Sequence, residues 1–323
     1  MKHQVLLLAL LVTFNLASSQ NIPSYIPVDG LVAWYPFNGN ADDESGNGNQ
    51  GIVTGAALTA DRNGVQESAY FFDKQEFQKI DVQGSETMNN VENLTLSMWI
   101  NIASYGAPSQ AGYNQFINKY SFPVYHYIFA NNTTGLYFYY SDAAYFQSYV
   151  LPPLDQWCHL ALTYNYSVIP DDSWCHIYID GAAVDSFAVY QPLVPSDCPM
   201  EIGSFNNLNT NTVDGVMDDI AIWNRALTPQ EIMQVFLAIT TDQDENTAEK
   251  FSIYPNPVTK GFKIISNNNR NEFAYSVFDI TGQVMMKGIA TRDKIIDAQS
   301  LLNGFYFVQI TSNVQPVIKF IKR

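Results

Sequence analysis

Short runs of apolar residues, each of strand length, fill most of the chain between residues 30 and 238. Residues 94–100 (LTLSMWI), 159–164 (HLALTY) and 176–180 (HIYID) are rich in the β-branched and aromatic side chains that favour strands. Clusters of Gly, Asn, Asp and Ser separate these runs and suit turns. Many short strands at this spacing predict an all-β fold, either a two-sheet sandwich or a jelly roll.

One segment departs from the strand pattern and predicts a single short helix near the end of this region. Thr228 can cap its N-terminus, Pro229 suits the first helical position, and Glu231 completes a capping box. Apolar residues follow at helical spacing, at positions 232, 235, 236 and 239. Residues 240–250 are polar and acidic, and they predict a linker.

The last 73 residues, 251–323, predict a second and smaller β-sandwich. Pro255 and Pro257 each fix φ and lack a backbone N–H, so no helix can run through residues 254–257. Apolar runs of strand length follow at 274–280 and 304–310, and Gly282 and Gly304 suit turns. We therefore predict two β-domains, at 27–239 and 251–323.

The N-terminus predicts a signal peptide at residues 1–19. Lys2 precedes an apolar run at 5–12, and Ala17 and Ser19 place small residues at the −3 and −1 positions of a cleavage site. This run is too short to stay in a membrane, and no later stretch reaches the roughly 20 apolar residues that a transmembrane helix needs. We expect an exported protein without a transmembrane segment.

Charge divides the mature chain into two unlike parts. Residues 20–250 carry 6 basic and 27 acidic side chains, whereas residues 251–323 carry 9 basic and 4 acidic ones. The larger part would repel phosphates, so we expect no nucleic-acid partner.

The three cysteines, Cys158, Cys175 and Cys198, leave at least one unpaired in a monomer, and their pairing stays open. Cys158 precedes His159 just as Cys175 precedes His176, which invites a zinc-site interpretation. Adjacent residues of a strand point to opposite faces, however, so neither pair can easily chelate one ion.

Seven motifs of the larger part occur in the order found in one known superfamily. They lie at 31–40 (LVAWYPFNGN), 43–48 (DESGNG), 69–73 (AYFFD), 94–100 (LTLSMWI), 156–160 (QWCHL), 178–181 (YIDG) and 215–227 (GVMDDIAIWNRAL). Together they resemble the LamG-like branch of the concanavalin A-like lectin/glucanase superfamily. The resemblance implies a concanavalin A-like jelly-roll sandwich.

The tail carries a second resemblance on three motifs, at 251–258 (FSIYPNPV), 275–282 (YSVFDITG) and 302–310 (LNGFYFVQI). It resembles the type A C-terminal sorting domain of the bacterial type IX secretion system. That resemblance implies the type IX machinery as a partner, export across the outer membrane, and a secreted or surface-displayed product.

A structural calcium site is predicted from the acidic loop at 42–49, which is dense in oxygen ligands on a bendable, glycine-rich segment. The superfamily resemblance implies calcium between such a loop and an aspartate of the last strand. The predicted ligands are Asp43, Ser45, Asn47, Asp218 and Asp219. The alternative is that these residues only form turns and cap strands.

No catalytic residue is predicted. The glucanase branch uses a Glu-x-Asp-x-x-Glu strand motif for its paired carboxylates, and this sequence lacks it. A Gly-x-Ser-x-Gly nucleophile motif is also lacking. His126, His159 and His176 all fall in predicted strands and are interpreted as structural.

Tyrosines are concentrated between residues 113 and 149 and provide the candidate ligand-binding residues. Strand alternation puts Tyr125 and Tyr127 on one face, and Tyr137 and Tyr139 on another shared face. A flat ring with a hydroxyl suits stacking on sugars or contact with a protein. The alternative is that these rings pack along the sandwich.

We therefore predict a secreted or surface-displayed, non-catalytic recognition protein that binds glycan or another extracellular ligand. Two alternatives stay open. One is a divergent glycoside hydrolase or polysaccharide lyase, which would need a carboxylate pair in a cleft. The other is an adhesion or matrix protein that binds protein surfaces through a flat aromatic patch.

Overall fold

The computed structural model describes residues 22–89, 91–106, 112–121, 124–141, 144–169, 172–205, 211–238, 251–266, 272–279, 282–291, 294–311 and 317–323. The predicted signal peptide and the linker at 240–250 lie outside these residues. No helix of the described part is long and apolar enough to cross a membrane.

One layer of the larger domain is an eight-stranded antiparallel sheet, sheet A. Its strands, in spatial order, are β13 (Ala182–Ala188), β12 (Trp174–Ile179), β11 (Cys158–Asn165), β6 (Leu94–Ile102), β15 (Gly215–Trp223), β4 (Ala69–Phe72) and β3 (Ala57–Thr59). The eighth strand, β1 (Leu31–Tyr35), pairs with the second half of β15, while β4 pairs with its first half.

The second layer is a seven-stranded sheet, sheet B. Its order is β10 (Ala144–Ser148), β9 (Gly135–Ser141), β8 (Val124–Asn132), β7 (Asn114–Ser121), β14 (Met200–Ile202), β5 (Lys79–Val82) and β2 (Gly51–Thr54). Some paired strands, such as β6 with β15 and β7 with β14, are far apart in the chain because the chain crosses between the two sheets, which is typical of a jelly-roll sandwich. The predicted all-β fold is confirmed.

The core lies between the two sheets because side chains alternate faces along each strand. In sheet B, one cross-strand row points inward and consists of Phe146, Phe138, Phe129, Ile117, Ile202, Ile80 and Val53. The inner face of sheet A adds apolar residues such as Leu96, Leu162 and Ile177, each fully buried. We call the opposite face of sheet B the open face; it is exposed at its two ends, at Tyr145 and Ile52, whereas Ile128 and Asn118 in its middle are buried.

The predicted helix is α2 (Pro229–Leu237), and its capping box is present. Thr228 Oγ1 accepts from the Glu231 N–H at 3.2 Å, and Glu231 Oε2 accepts from the Thr228 N–H at 2.8 Å. Its apolar side packs on the outer face of sheet A, against Ala161 and Tyr178. A second helix, α1 (Glu86–Asn89), was not predicted, because a single turn shows no helical periodicity.

The tail forms two small sheets with a core of their own. One contains β16 (Phe251–Tyr254), β17 (Gly261–Ser266) and β20 (Ile296–Asp297); the other contains β19 (Val284–Thr291), β18 (Glu272–Asp279), β21 (Gly304–Thr311) and β22 (Val317–Lys322). Buried residues from both sheets, including Phe262, Val277 and Phe320, fill the space between them. The prediction of a small β-sandwich is confirmed.

The three cysteines are free thiols in the described structure, and all three are buried. Cys158 and Cys175 face the core of the larger domain. His159 points to the opposite side of sheet A, where its ring contacts Trp99. This arrangement is what strand alternation requires of Cys158 and His159.

Candidate functional site

The Asp43 carboxylate connects the acidic loop to β1 through hydrogen bonds. Its Oδ1 atom accepts from the Trp34 N–H at 3.0 Å and the Ser45 N–H at 2.9 Å, and its Oδ2 atom accepts from the Asn49 N–H at 2.9 Å. Ser45 and Asn47 donate to backbone carbonyls of β1, at 3.1 and 2.8 Å. These contacts explain how a buried carboxylate is stabilised by backbone N–H groups.

Asp218 and Asp219 lie at a β-bulge of β15, where the strand changes its partner from β4 to β1. Asp219 has a left-handed backbone, with φ of 46°. The Arg62 guanidinium reaches both carboxylates, with Nη1 at 3.0 Å from Asp218 Oδ2 and 2.6 Å from Asp219 Oδ2, and it covers the Trp99 ring at 4.5 Å. Burial and the neighbouring Asp219 raise the pKa of Asp218.

The structure does not bring the five predicted calcium ligands to one point. Trp34 donates its N–H to Asp43 and accepts from the Glu44 N–H at 2.8 Å, so the acidic loop lies along the edge of β1 that faces away from β15. Asp218 belongs to β15 and is bound by Arg62. Across the described ranges, no group of three His, Cys, Asp or Glu side chains could hold a metal ion. The ligand set does not fit one shared ion, and calcium binding stays a prediction.

A chelator experiment decides the calcium prediction. If an ion joins the acidic loop to Asp218, saturating calcium at about 100 times its dissociation constant should stabilise the protein by about 2.7 kcal/mol. EDTA should then lower the melting temperature of the wild type but leave that of Asp218→Asn unchanged. Identical melting curves with and without EDTA would leave the hydrogen bonds described above as the only stabilisers of the loop.

Of the four predicted ligand-binding tyrosines, Tyr127 is buried in the structure and cannot form part of a surface site. Tyr127 packs in the core with 2% of its surface exposed, and its hydroxyl lies 3.8 Å from Met200 Sδ. Its position in β8 places its side chain on the face that packs against sheet A, so a ligand at the surface cannot contact it. Tyr125 lies in β8, and its side chain is outside the described part of the structure.

Tyr137 and Tyr139 do share one face, and it is the open face of sheet B. Their rings stack at 6.2 Å with an angle of 16°. Tyr145 of β10 pairs with Tyr139 and lies 5.1 Å from its ring, and Tyr113 contacts Tyr137 at 5.4 Å. We call these four residues the tyrosine cluster. Tyr137 is buried, whereas Tyr145 is 50% exposed and its ring contacts solvent.

The other end of the open face is polar. One register row crosses all seven strands and consists of Tyr145, Tyr139, Ile128, Asn118, Glu201, Asp81 and Ile52. At its far end, Lys79 Nζ lies 2.8 Å from Asp81 Oδ1 and 2.6 Å from Glu201 Oε1. A cavity of about 220 Å³ opens here, lined by these three residues together with Asn118 and Tyr120.

Sequence reasoning missed Tyr113, Tyr145 and the polar end of the open face. Tyr113 and Tyr145 lie within the tyrosine-rich stretch, so composition pointed to their neighbourhood. Asn118 and Glu201 become neighbours only because β7 pairs with β14 across 83 residues of sequence. A single sequence contains no signal for that pairing.

His159 supplies a stability prediction, because its imidazole is fully buried. Its Nε2 atom lies 2.8 Å from Ser97 Oγ, and burial lowers the pKa of His159 to about 3. Since the unfolded chain protonates this group near its ordinary value, stability is fully present above about pH 6.5 and is lost as the pH falls toward 3. The expected loss is about 1.4 kcal/mol per pH unit below pH 6.

The measurement is urea unfolding of the wild type and of His159→Gln at pH 7 and pH 5. Gln keeps an amide for Ser97 but does not titrate. We expect the wild type to lose about 2 kcal/mol more than the variant between these two pH values. An equal loss in both proteins would show that other groups cause the acid sensitivity.

Comparison with known proteins places these two β-domains in families. Residues 74–233 match the family described as the concanavalin A-like lectin/glucanases superfamily, and residues 252–323 match the secretion system C-terminal sorting domain. No curated protein matches the chain in sequence. The larger domain therefore has the concanavalin A-like fold, and residues 252–323 form a type IX sorting domain, as the motifs predicted. The protein is exported, either as a secreted or as a surface-displayed product.

Solved structures share the fold of the larger domain. The binding domain of Paraclostridial Mosquitocidal Protein 1 is 16% identical, with a TM-score of 0.52, and the match covers 88% of this chain and 76% of that one. A Trypanosoma rangeli sialidase is 17% identical, with a TM-score of 0.50, over 67% of this chain but only 34% of the sialidase. Domain 4 of AbnA, a GH43 extracellular arabinanase from Geobacillus stearothermophilus in complex with arabinotriose, is 18% identical, with a TM-score of 0.49, over 64% of this chain and 97% of that one. Identities this low establish a common fold only.

Proposed function

We propose that this exported protein is a non-catalytic recognition protein that binds an extracellular glycan on the open face of sheet B. The superfamily assignment supports a lectin-like role. The observation that carries the proposal is the register row that joins an aromatic end, at Tyr145 and Tyr139, to a polar cavity at Asn118 and Glu201.

The aromatic end has the chemistry that sugar faces require. Tyr145 is half exposed, and Tyr137 and Tyr139 beneath it hold its ring at 5.8 and 5.1 Å. Contacts with neighbouring rings restrict the rotamers of Tyr145, so little side-chain entropy is lost when a ligand stacks on it. Burial and the Tyr113 hydroxyl at 3.4 Å raise the pKa of Tyr139, which therefore keeps its proton as a hydrogen-bond donor.

The polar end has hydrogen-bonding groups of both kinds. Lys79 contributes an ammonium, and Asp81 and Glu201 contribute carboxylate oxygens, all lining one cavity of about 220 Å³. The buried Asn118 amide supports this end by donating to the Ser204 carbonyl. Sugar hydroxyls both donate and accept hydrogen bonds, so a mixed set of this kind suits them. The cavity is small enough that one sugar unit would occupy it, and Tyr145 offers a separate stacking position at the other end of the row.

A hydrolase is the second candidate, because Asp81 and Glu201 form a carboxylate pair in a cavity. Glycoside hydrolysis needs one carboxyl group that holds a proton and one that is free to attack or to activate water. Here the Lys79 ammonium binds both carboxylates, at 2.8 and 2.6 Å. Each carboxylate is therefore occupied by an ion pair, which leaves neither one free to attack or to activate water.

The test is a glycan array probed with the full-length protein, followed by titration of the best ligand. Tyr145→Ala should bind about tenfold more weakly, since one ring contact contributes up to about 1.5 kcal/mol. Tyr149→Ala is the matched control, because that ring is 80% exposed and lies beyond the end of β10. Equal affinity of Tyr145→Ala and wild type would refute the proposed surface.

The same samples separate the alternatives. Shortened oligosaccharides after incubation would establish hydrolysis, and Glu201→Gln should then abolish it. No array signal, combined with binding to extracellular proteins that Tyr145→Ala weakens, would favour the adhesion alternative.

A further inference from the structure

The outer face of sheet A contains a second groove, on the opposite side of the sandwich from the tyrosine cluster. Its floor is the β11–β12 ladder, in which Thr163 pairs with His176 and Asn165 pairs with Trp174. Its wall is the segment 226–229 that leads into α2. The cavity measures about 470 Å³, which is within the usual range for small-ligand sites of about 300 to 1,000 Å³.

An aromatic platform runs along this floor. Trp174 and His176 point to the same side of β12, and their ring planes are nearly parallel, with centroids 6.3 Å apart and an angle of 22°. The Trp174 side chain is 40% exposed, whereas Trp34 and Trp223 have at most 1% of their surface exposed. On the next strand, the residues opposite Trp174 and His176 are the small Ala188 and Ser186. Small neighbours leave the ring faces accessible from above.

The wall of the groove is rigid. Thr95 Oγ1 donates to the Arg225 carbonyl at 2.7 Å and accepts from the Leu227 N–H at 2.9 Å. The Arg225 guanidinium in turn binds Glu231 at 2.6 Å, within the capping box of α2. A groove held in this way is formed before a ligand arrives, which reduces the entropy lost on binding.

The polar groups of the groove suit a neutral ligand with hydroxyl groups. Asn165 donates one amide N–H to the Asp172 carbonyl at 2.6 Å, so its amide oxygen can accept from another donor. Burial lowers the pKa of His176, which keeps this imidazole neutral, with one donor and one acceptor nitrogen. Asp172 is the one charged residue among the described residues that line the groove, and it is acidic. Phosphorylated, sulfated and uronic ligands would therefore be repelled.

We propose that this groove is a second carbohydrate site, in which the Trp174–His176 platform stacks against consecutive sugar rings of a neutral oligosaccharide. Asn165, Asp172 and Thr163 lie beside the platform, where they meet the ring hydroxyls. With sites on both faces, one copy of the domain can hold two glycan chains or two parts of one chain.

The test uses the full-length protein and follows the indole N–H signals of its five tryptophans by NMR. Trp174→Phe identifies the Trp174 signal by its loss. Cellopentaose, xylopentaose, mannopentaose and laminaripentaose are titrated separately, with a polygalacturonic acid oligomer as the acidic comparison. We expect at least one neutral pentasaccharide to shift the Trp174 signal saturably, and the acidic oligomer to leave it in place.

Four variants make the result specific to this groove. Trp174→Ala should weaken binding at least tenfold as measured by calorimetry, and Trp174→Phe should recover part of the affinity, since it restores a ring. Val168→Ala is a matched surface control, because Val168 is 89% exposed and precedes β12. A shift retained in Tyr145→Ala would show that the groove works independently of the open face of sheet B, so that either proposal can fail alone. An unmoved Trp174 signal with all four neutral sugars, or full affinity in Trp174→Ala, overturns the second site.

Discussion

Removal of residues 251–323 is expected to stop export and to leave a folded larger domain inside the cell envelope. The family match to the sorting domain begins at residue 252, so the truncation removes all of it. The core between sheets A and B uses residues from 32 to 222, whereas the core of the tail uses residues from 253 to 320. Because the two cores share no residue, the truncated chain keeps the contacts that hold the sandwich together.

The measurement is the distribution of the protein between medium, cell surface and periplasm, by immunoblot of fractionated cells. The extracellular and surface signal should fall to background, while periplasmic protein accumulates and melts cooperatively. Ile295→Ala is the matched control within the tail, because Ile295 is 64% exposed and lies outside the sorting motifs. Truncated protein found outside the cell at the wild-type level would contradict the role of the tail as the export signal.

Replacement of Arg62 by alanine should destabilise the larger domain by about 3–5 kcal/mol, because it leaves two buried carboxylates without their cation. Arg62, Asp218 and Asp219 have side chains only 17%, 3% and 14% exposed. Repulsion between the two adjacent carboxylates adds to the cost of their burial. The contact of the guanidinium with the Trp99 ring would be lost as well.

Urea unfolding at neutral pH measures this effect, and a surface ion pair provides the control. Lys74 binds Asp214 at 2.6 Å but is 47% exposed, so Lys74→Ala should cost no more than about 1 kcal/mol. Combining Arg62→Ala with Asp218→Asn and Asp219→Asn should recover much of the loss, since the neutral amides no longer need a cation. Equal costs for Arg62→Ala and Lys74→Ala would mean that the two aspartates are stabilised by other contacts.

These two predictions depend on different kinds of information. The export signal is local: its motifs at 254–257 and 302–310 can be identified residue by residue along the chain. The Arg62 cluster is not local, because 156 residues separate Arg62 from Asp218. Their side chains come into contact where the partner of β15 changes from β4 to β1. Neither the residue types nor their spacing in the sequence predicts this contact.

The class of the fold, the helix and the tail could all be predicted from residues that are close together in the chain. Strand-length apolar runs define strands wherever they fold, and Thr228 with Glu231 determines where α2 begins because a capping box involves only four consecutive residues. Alternation also placed Tyr137 and Tyr139 on one shared face, as they are in the structure. Each of these features depends on residues that are close in sequence.

Packing between distant segments determines which faces are covered and which residues share a site. Alternation divides a strand into two faces, but only packing against sheet A buries Tyr127 and leaves Tyr145 exposed. The same is true of the acidic loop and Asp218, which lie on opposite sides of β1. It is also true of Trp174, whose exposure depends on how far the segment leading into α2 covers sheet A. Burial and charge pairing result from contacts between segments that are far apart in the chain. A single sequence does not show which strands will be neighbours, so these contacts cannot be predicted from it.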